Sequence, residues 1–169
     1  MVTTSVGPQV FINFRGEELR NTFISHLHYR LRRDGINAFM DKDEDAGQDL
    51  NNLFKRIEQS EIALAVLSSK YTESHWCLEE LVKIKECSMK SEGRNNKLLV
   101  IPIFYKLKTS TVAELDGDFG LNLWNLWRLP GPGRDRDNRI VKWNEALEDV
   151  LSKKALIWAE TETGYVLVL

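Results

Sequence analysis

Short apolar runs alternate with helical patterns through the first two-thirds of the chain. Four β-rich runs stand out: QVFINF (9–14), INAFM (36–40), IALAVLS (62–68) and LLVIPIFY (98–105). The third run is continuously apolar, which is typical of a central parallel strand covered on both faces. Since segments with apolar residues at helical spacing separate the runs, the pattern predicts a parallel sheet with helices on both sides.

The helical pattern and its end signals set the remaining elements. Helices are predicted over 19–35, with Gly35 as the C-terminal stop, and over 50–60, 73–87 and 139–154. The segment 110–127 contains helix, 128–138 is predicted as loop, and ALIWAE (155–160) as a fifth strand. We predict a flexible N-terminus over 1–8, one α/β domain over 9–160 and an atypical tail over 161–169.

The order of the strands decides where a ligand would bind. For five parallel strands, the doubly wound order 2-1-3-4-5 leaves a crevice outside the carboxyl ends of strands one and three. The loops that leave those strands are RGEE (15–18) and SSKYTESHW (68–76). The start of the 73–87 helix would then border the crevice.

Composition narrows the function classes. The 169-residue chain has a formal net charge of −2, which gives no reason to expect nucleic acid or an anionic membrane as partner. No apolar run approaches the roughly 18 residues of a membrane span, so we expect an intracellular protein, cytoplasmic or nuclear. Cys77 and Cys87 fit a reducing compartment, and the three histidines lack metal-ligand spacing, so no metal is expected.

The phase of the 73–87 helix separates its two adjacent acids. At about 100° per residue, Glu79 falls opposite the apolar arc and is predicted to face water. Glu80 lies at the edge of that arc, one turn from Trp76 and on the same side. A carboxylate half-shielded by an aromatic ring is a candidate functional group; the alternative is a Trp–Glu pair that only packs at the core boundary.

Four motifs in order along the chain carry a family resemblance. VFINFRGEELRNTFISHL (10–27), GINAFMDKD (35–43), ALAVLSSKYTESHWCLEELVKI (63–84) and VIPIFY (100–105) together resemble plant TIR (Toll/interleukin-1 receptor) domains of the disease-resistance type. The resemblance runs over residues 8 to 105 and more weakly to about 150. It implies a flavodoxin-like three-layer fold and, for many members, cleavage of NAD⁺. The domain over 9–160 would then be a TIR domain.

The resemblance also assigns residues. It implies that Glu80 is the catalytic carboxylate and that Phe14, Arg15, Gly16 and Trp76 bind the substrate. Nicotinamide leaves NAD⁺ from a cationic pyridinium, so a single carboxylate suffices where ordinary glycoside hydrolysis uses two. NAD⁺ or NADP⁺ would be the substrate, and no further cofactor is expected.

The partners implied by the resemblance are other TIR domains. Ser25 and His26 resemble the family's self-association surface, and the expected role is defence signalling. Each assignment has an alternative: Arg15 as a surface ion pair with Glu17 or Glu18, Gly16 as an ordinary turn, and His26 as a solvated helix residue. The alternative function for the whole domain is a non-catalytic TIR–TIR interaction module. A phospho-receiver is disfavoured because IALAVLSSK (62–70) ends in serines and lacks an acceptor aspartate.

The sequence departs from the family pattern in three respects. Ala46 precedes Gly47 where the family usually has Arg or Lys before the glycine, in a loop linked to substrate access and assembly. Asn13 replaces the usual serine, and Gln9 the usual aspartate. The segment after the fifth strand, ETGYVLVL (162–169), lacks the length and pattern of the family's final helix, so the Ser25–His26 surface is expected to lack its partner. The sequence fits a fragment of a longer protein or a TIR-only protein with an altered end.

Overall fold

A computed structural model of the chain describes residues 7–40, 50–89, 97–128, 136–161 and 164–168. The strands are β1 (Gln9–Asn13), β2 (Asn37–Met40), β3 (Ile62–Leu67), β4 (Leu99–Tyr105), β5 (Leu156–Thr161) and β6 (Gly164–Val168). The five predicted strands are confirmed. The loop that carries Ala46 and Gly47 lies outside the described residues.

The helices alternate with the strands as predicted. They are α1 (Glu17–Leu19), continued by a π-helical turn (Arg20–Ile24) into α2 (Ser25–Arg33), then α3 (Leu50–Gln59), a 3₁₀ turn (Tyr71–Glu73), α4 (His75–Met89), α5 (Thr109–Glu114), α6 (Gly117–Arg128) and α7 (Arg136–Leu151). The predicted loop over 128–138 was wrong at its end, because α7 begins three residues before the predicted position. Asp137 lies in the first turn of α7, where a carboxylate suits the positive end of the helix dipole.

The end of α2 follows the predicted glycine signal. Gly35 has a φ of 81°, the left-handed conformation that costs a glycine no Cβ clash. Its N–H donates to the Arg32 carbonyl at 3.1 Å, and the Ile36 N–H donates to the Leu31 carbonyl at 2.9 Å. This pair of hydrogen bonds is the Schellman arrangement, which satisfies the last carbonyls of the helix and turns the chain into β2.

The sheet has the order β2-β1-β3-β4-β5-β6. The five strands β1 to β5 pair in parallel, which confirms the predicted order 2-1-3-4-5. The sixth strand extends the predicted sheet: β6 pairs antiparallel with β5, from Ile157 opposite Val168 to Thr161 opposite Gly164. Two residues separate the strands, and a connection this short joins only antiparallel neighbours.

Helices cover both faces of the sheet. On one face, Ile24 from the π-helical turn packs against Ile12, Val66 and Ile103 from the central strands. On the other, α4 and α7 contribute Leu78, Leu81, Trp143 and Leu147 to a cluster with Ala65, Leu67 and Phe104. Because alternate residues of β3 enter the two clusters, this strand is buried on both sides, as its apolar run predicts.

Three aromatic rings cover the β4–β5 end of the first face. Phe23 lies 5.3 Å from Tyr105 and 4.9 Å from Trp158 between ring centroids. The resemblance places a final helix after the fifth strand, whereas the described residues after β5 form β6. The aromatic cluster thus joins the π-helical turn, through Phe23, to the ends of β4 and β5.

The junction of α5 and α6 gives a stability test. Leu115 adopts a left-handed conformation with a φ of 51°, and its carbonyl oxygen would lie 1.7 Å from a Cβ added at Gly120. Glycine to alanine normally stabilises a helix interior. Here we expect Gly120→Ala to lower the free energy of unfolding by about 1–3 kcal/mol, the usual cost of overpacking. Urea denaturation measures it, with exposed Asn125→Ala on the same helix as control; an unchanged or raised stability of Gly120→Ala would contradict the expectation.

Candidate active site

A cleft of about 190 Å³ opens at the carboxyl ends of β1, β3 and β4. Its walls come from the residues that follow these three strands and from the start of the first helical segment: Arg15, Gly16, Glu18, Leu19, Thr22, Ser68, Ser69, Lys70, Tyr105 and Lys106. This is the position at which strand order reverses, where open α/β sheets bind their ligands. The loops after strands one and three therefore meet as predicted.

The cleft is electropositive at its rim. Arg15, Lys70 and Lys106 supply three cationic side chains, against the single carboxylate of Glu18. Lys106 has a φ of 48°, a left-handed conformation that costs a lysine roughly 1–2 kcal/mol. The excess of cationic over anionic side chains at the rim favours an anionic ligand such as a phosphate group.

Arg15 and Gly16 form one wall of the cleft. Gly16 has a φ of 110° and precedes the first turn of α1, and its carbonyl accepts from the Arg20 N–H at 3.0 Å. A Cβ at Gly16 would meet nothing within 4 Å, so the glycine is required by the backbone conformation of the turn. No ion pair joins Arg15 to Glu17 or Glu18, all three of which lie in the described part of the chain.

Glu80 is not among the residues that line the cleft. It is held by the last residue of β1. Its side chain is buried, with 2% of its surface exposed, and Asn13 is fully buried. Asn13 Nδ2 donates to Glu80 Oε2 at 2.7 Å. The Tyr71 hydroxyl donates to Asn13 Oδ1, and it also lies 3.3 Å from the Cys77 carbonyl. These contacts join β1, the 3₁₀ turn and the first turn of α4 around one carboxylate.

The environment of Tyr71 holds its proton in place. Burial, with further contributions from the nearby Cys77 and Glu80, raises the pKa of the Tyr71 phenol well above its usual value. The phenol therefore stays protonated and acts as a donor. A neighbouring hydroxyl, Thr72 Oγ1, donates to the Phe119 carbonyl at 2.6 Å and ties the same turn to α6.

Two predicted substrate residues lie apart from the cleft walls. Phe14 is buried in the core cluster with Leu19 and Ile24, and the Arg20 guanidinium lies 5.2 Å from its ring centroid. Trp76 is 43% exposed, with its ring 4.8 Å from His75. The prediction of a carboxylate half-shielded by Trp76 was wrong, because Glu80 is almost fully buried and Asn13, at the end of β1, donates to it.

Glu79 was predicted to face water, and this was wrong. Its side chain is only 27% exposed and lies 3.8 Å from the Arg139 guanidinium. The Trp143 indole N–H donates to Glu79 Oε1 at 3.2 Å. The physical reason is that α7 packs along α4 and covers the polar side of the helix, which helical phase alone cannot reveal.

Ser25 and His26 lie exposed at the start of α2. On the opposite side of the sheet a second groove, apolar and about 440 Å³ in volume, lies between α6 and α7 and includes Leu123, Trp124 and Ile140. Trp124 and Val141 are both exposed there. The two surfaces are candidates for contacts with other proteins.

Several site residues were not predicted. Ser68 and Lys70 lie in the loop 68–76 that was predicted to leave strand three at the crevice, although neither was named as a site residue. Lys106 directly follows β4, so the rule that points to the ends of parallel strands also identifies it. Asn13 was identified only as a departure from the family's usual serine, although a polar residue at the end of an apolar strand is itself a signal. Tyr71 carried no local signal, because its partner is 58 residues away in the chain.

This chain belongs to the TIR-domain family. A family model described as TIR domain matches residues 9–162. The fold and the strand order are those of the family, and the resemblance carried by the four motifs is confirmed.

The relatives are plant proteins. The chain is 48% identical over 158 residues to Protein PHLOEM PROTEIN 2-LIKE A8 of Arabidopsis thaliana, covering 93% of the chain and 42% of that protein. It is 52% identical over 143 residues to the Disease resistance-like protein CSA1 of the same plant, covering 84% of the chain and 11% of that protein. The chain thus spans less than half of either relative.

A solved structure shares the fold. The TIR domains of the activated Roq1 resistosome, which directly recognises the pathogen effector XopQ, match with a TM-score of 0.72 and 36% identity. The match covers 88% of this chain and 86% of that one. Within the described residues, none of the helices combines the length and apolar character that a bilayer crossing requires.

His75 gives a pH-dependent test beside Trp76. Burial lowers the pKa of His75 below its usual value, and Arg139 lowers it further against the opposing effect of Glu79. The folded state therefore favours the neutral form of His75. The stability that this neutral imidazole contributes is present above the unfolded pKa of about 6.5 and is lost as the pH falls through the lower folded pKa. Urea denaturation between pH 7.5 and 5 should show the stability advantage of wild type over His75→Gln shrinking with falling pH. A difference that is constant with pH would contradict this.

Proposed function

We propose that this TIR domain is an NAD⁺ hydrolase that cleaves the bond between nicotinamide and ribose. The observation that carries the proposal is Glu80, a carboxylate buried beside the ligand crevice and hydrogen-bonded at 2.7 Å by the neutral amide of Asn13. Asn13 lies two residues before Arg15, and Tyr71 follows Lys70, so the residues that hold Glu80 adjoin the residues that line the cleft.

The chemistry requires one negative group at the reacting carbon. As the C1′–N bond breaks, its electron pair moves to the pyridinium nitrogen and neutral nicotinamide leaves. Glu80 stabilises the positive charge that develops on the ribose, and water then attacks C1′ and releases its proton. In this proposal Arg15, Lys70 and Lys106 contact the phosphates, and the support is that all three line the cleft.

The size of the cleft supports a dependence on self-association. At about 190 Å³ it is smaller than the roughly 300–1,000 Å³ of pockets that enclose drug-sized ligands. A dinucleotide would therefore extend beyond it, and a second TIR domain would complete the enclosure. Ser25 and His26, exposed on α2, are the residues proposed for that contact.

The biological role we propose is signalling in plant innate immunity. The support is the similarity to a disease resistance-like protein and to the TIR domains of a resistosome that recognises a pathogen effector. NAD⁺ cleavage in a cytoplasmic or nuclear setting would be the output of the assembled domains.

Removal of the Glu80 carboxylate tests the activity. We expect Glu80→Gln to lower the rate of nicotinamide release by about 10²-fold or more, the usual cost of removing a group that stabilises transition-state charge. Chromatography of nicotinamide and ADP-ribose, across protein concentrations and with a crowding agent, measures the rate.

Glu79→Gln is the matched control, because it removes the neighbouring carboxylate on the α7 side of the same helix. We expect it to retain activity within about threefold, since the Glu79 side chain is directed to Trp143 and Arg139 on α7 and so adds little to transition-state stabilisation. Wild-type protein without turnover at high concentration, or Glu80→Gln with full activity, would refute the hydrolase.

The burial of Glu80 favours a second candidate function, a non-catalytic TIR–TIR interaction module. A carboxylate with 2% of its surface exposed contacts substrate only after its surroundings rearrange. A domain that never makes this rearrangement would act through its surfaces, by recruiting other TIR domains.

Partner binding distinguishes the two functions. The interaction module predicts self-association that survives Glu80→Gln and is weakened about tenfold or more when Ser25 and His26 are both changed to alanine, as for central interface residues. Analytical ultracentrifugation measures both, with Asn125→Ala as an exposed control on α6. Association that is unaffected by the double change would exclude this surface as the contact.

A further inference from the structure

We propose that Asn13 and Tyr71 form a positioning pair that holds the Glu80 carboxylate in one orientation and in its ionised form. Tyr71 orients the Asn13 amide, and the amide then donates to Glu80. The inference rests on the proposed function for its catalytic meaning, whereas the physical effect on Glu80 is independent of turnover.

The hydrogen bonds run in one direction. The Tyr71 hydroxyl donates to Asn13 Oδ1, which leaves the Asn13 NH₂ group facing Glu80 Oε2 at 2.7 Å. The opposite amide orientation would set a carbonyl oxygen against the carboxylate and would leave the Tyr71 donor facing an NH₂ group. The Tyr71 donor and an ionised Glu80 therefore favour the same amide orientation, with the Cys77 carbonyl as the second acceptor near the Tyr71 hydroxyl.

Burial maintains the direction of the hydrogen bonds from Tyr71 to Asn13 and from Asn13 to Glu80. Asn13 and Tyr71 are both fully buried, so water does not compete for their hydrogen bonds. Burial also raises the pKa of the Tyr71 phenol, which keeps its proton available to Asn13. A donor to the charged form of a carboxyl group favours ionisation, in opposition to the cost of desolvation.

The pair is anchored to α4 at the turn before Glu80. Asn13 Nδ2 and the Tyr71 hydroxyl each lie 3.3 Å from the Cys77 carbonyl. The Cys77 Sγ is 3.1 Å from the Phe14 carbonyl. These contacts fix the end of β1 against the first turn of α4, so the distance between Asn13 and Glu80 is set by the backbone of both elements.

Two isosteric variants test the pair. Tyr71→Phe removes only the hydroxyl, and Asn13→Leu removes the amide at nearly constant volume. Within the part of the chain that the structure describes, the titratable groups beside Asn13 and Glu80 are the Tyr71 phenol and the Cys77 thiol. Glu79 is directed to Arg139 on α7. Thr72→Val is the matched control. It removes a buried hydroxyl from the same turn, but that hydroxyl donates to the Phe119 carbonyl and not to Asn13.

The first measurement is the titration of the Glu80 carboxyl carbon by ¹³C NMR, assigned with Glu80→Gln. We expect the midpoint to rise by roughly one pH unit in Asn13→Leu and by a smaller, measurable amount in Tyr71→Phe, because the ionised form loses its oriented donor. Thr72→Val should leave the midpoint unchanged.

The second measurement is NAD⁺ turnover. We expect kcat to fall about tenfold or more in Tyr71→Phe and Asn13→Leu with KM within about twofold, since ground-state binding is not altered. Thr72→Val should lower the melting temperature about as much as Tyr71→Phe does, because each removes one buried hydroxyl, and it should leave kcat unchanged.

The outcomes separate the two proposals. Unchanged Glu80 midpoints in both variants overturn the positioning pair, whatever the turnover. If the midpoints shift in the variants but the wild-type protein never cleaves NAD⁺, the pair is supported and only the hydrolase is refuted. A loss of kcat in Thr72→Val equal to that in Tyr71→Phe assigns the effect to general destabilisation and overturns the pair. Should Asn13→Leu fail to fold, Tyr71→Phe decides alone.

Discussion

β1 and β3 lie side by side at the centre of the sheet, paired in parallel from Val10 with Ile62 to Asn13 with Ala65. The chain leaves β1 toward β2 on one side and leaves β3 toward β4 on the other. Because crossovers of the same hand then place their helices on opposite faces, the two loops diverge and leave a crevice between them. The position of the cleft and that of α4 both follow from this pairing.

The same pairing explains how a carboxylate can be buried there. An ionised group loses much of its hydration when it is removed from water, and the loss is tolerated only with oriented hydrogen-bond donors. Asn13, at the last position of β1, meets the first turns of α4 and supplies such a donor. The buried polar network around Glu80 is thus a consequence of where a strand ends and where a helix begins.

The predictions from local pattern were confirmed where one element decided the outcome. The strands followed apolar runs, and Gly35 ended α2 because a left-handed residue is required at that position. The helical phase placed Glu80 only at the edge of the apolar arc, although the fold buries it. It assigned Glu79 to solvent because the position of α7 cannot be read from the α4 sequence. Trp76 was expected to shield Glu80; that role belongs to Asn13 and Tyr71, which lie 67 and 9 residues away from Glu80 in the chain.

The sequence by itself determined the order of the elements, the family and the identity of the acid on the inner side of α4. These depend on periodicities and motifs that act over a few residues. The tertiary structure decided which side chains surround that acid, which lysines reach the cleft and what packs after β5. Those depend on contacts between segments that are far apart in the chain, where burial and hydrogen bonding are set only when the sheet has assembled.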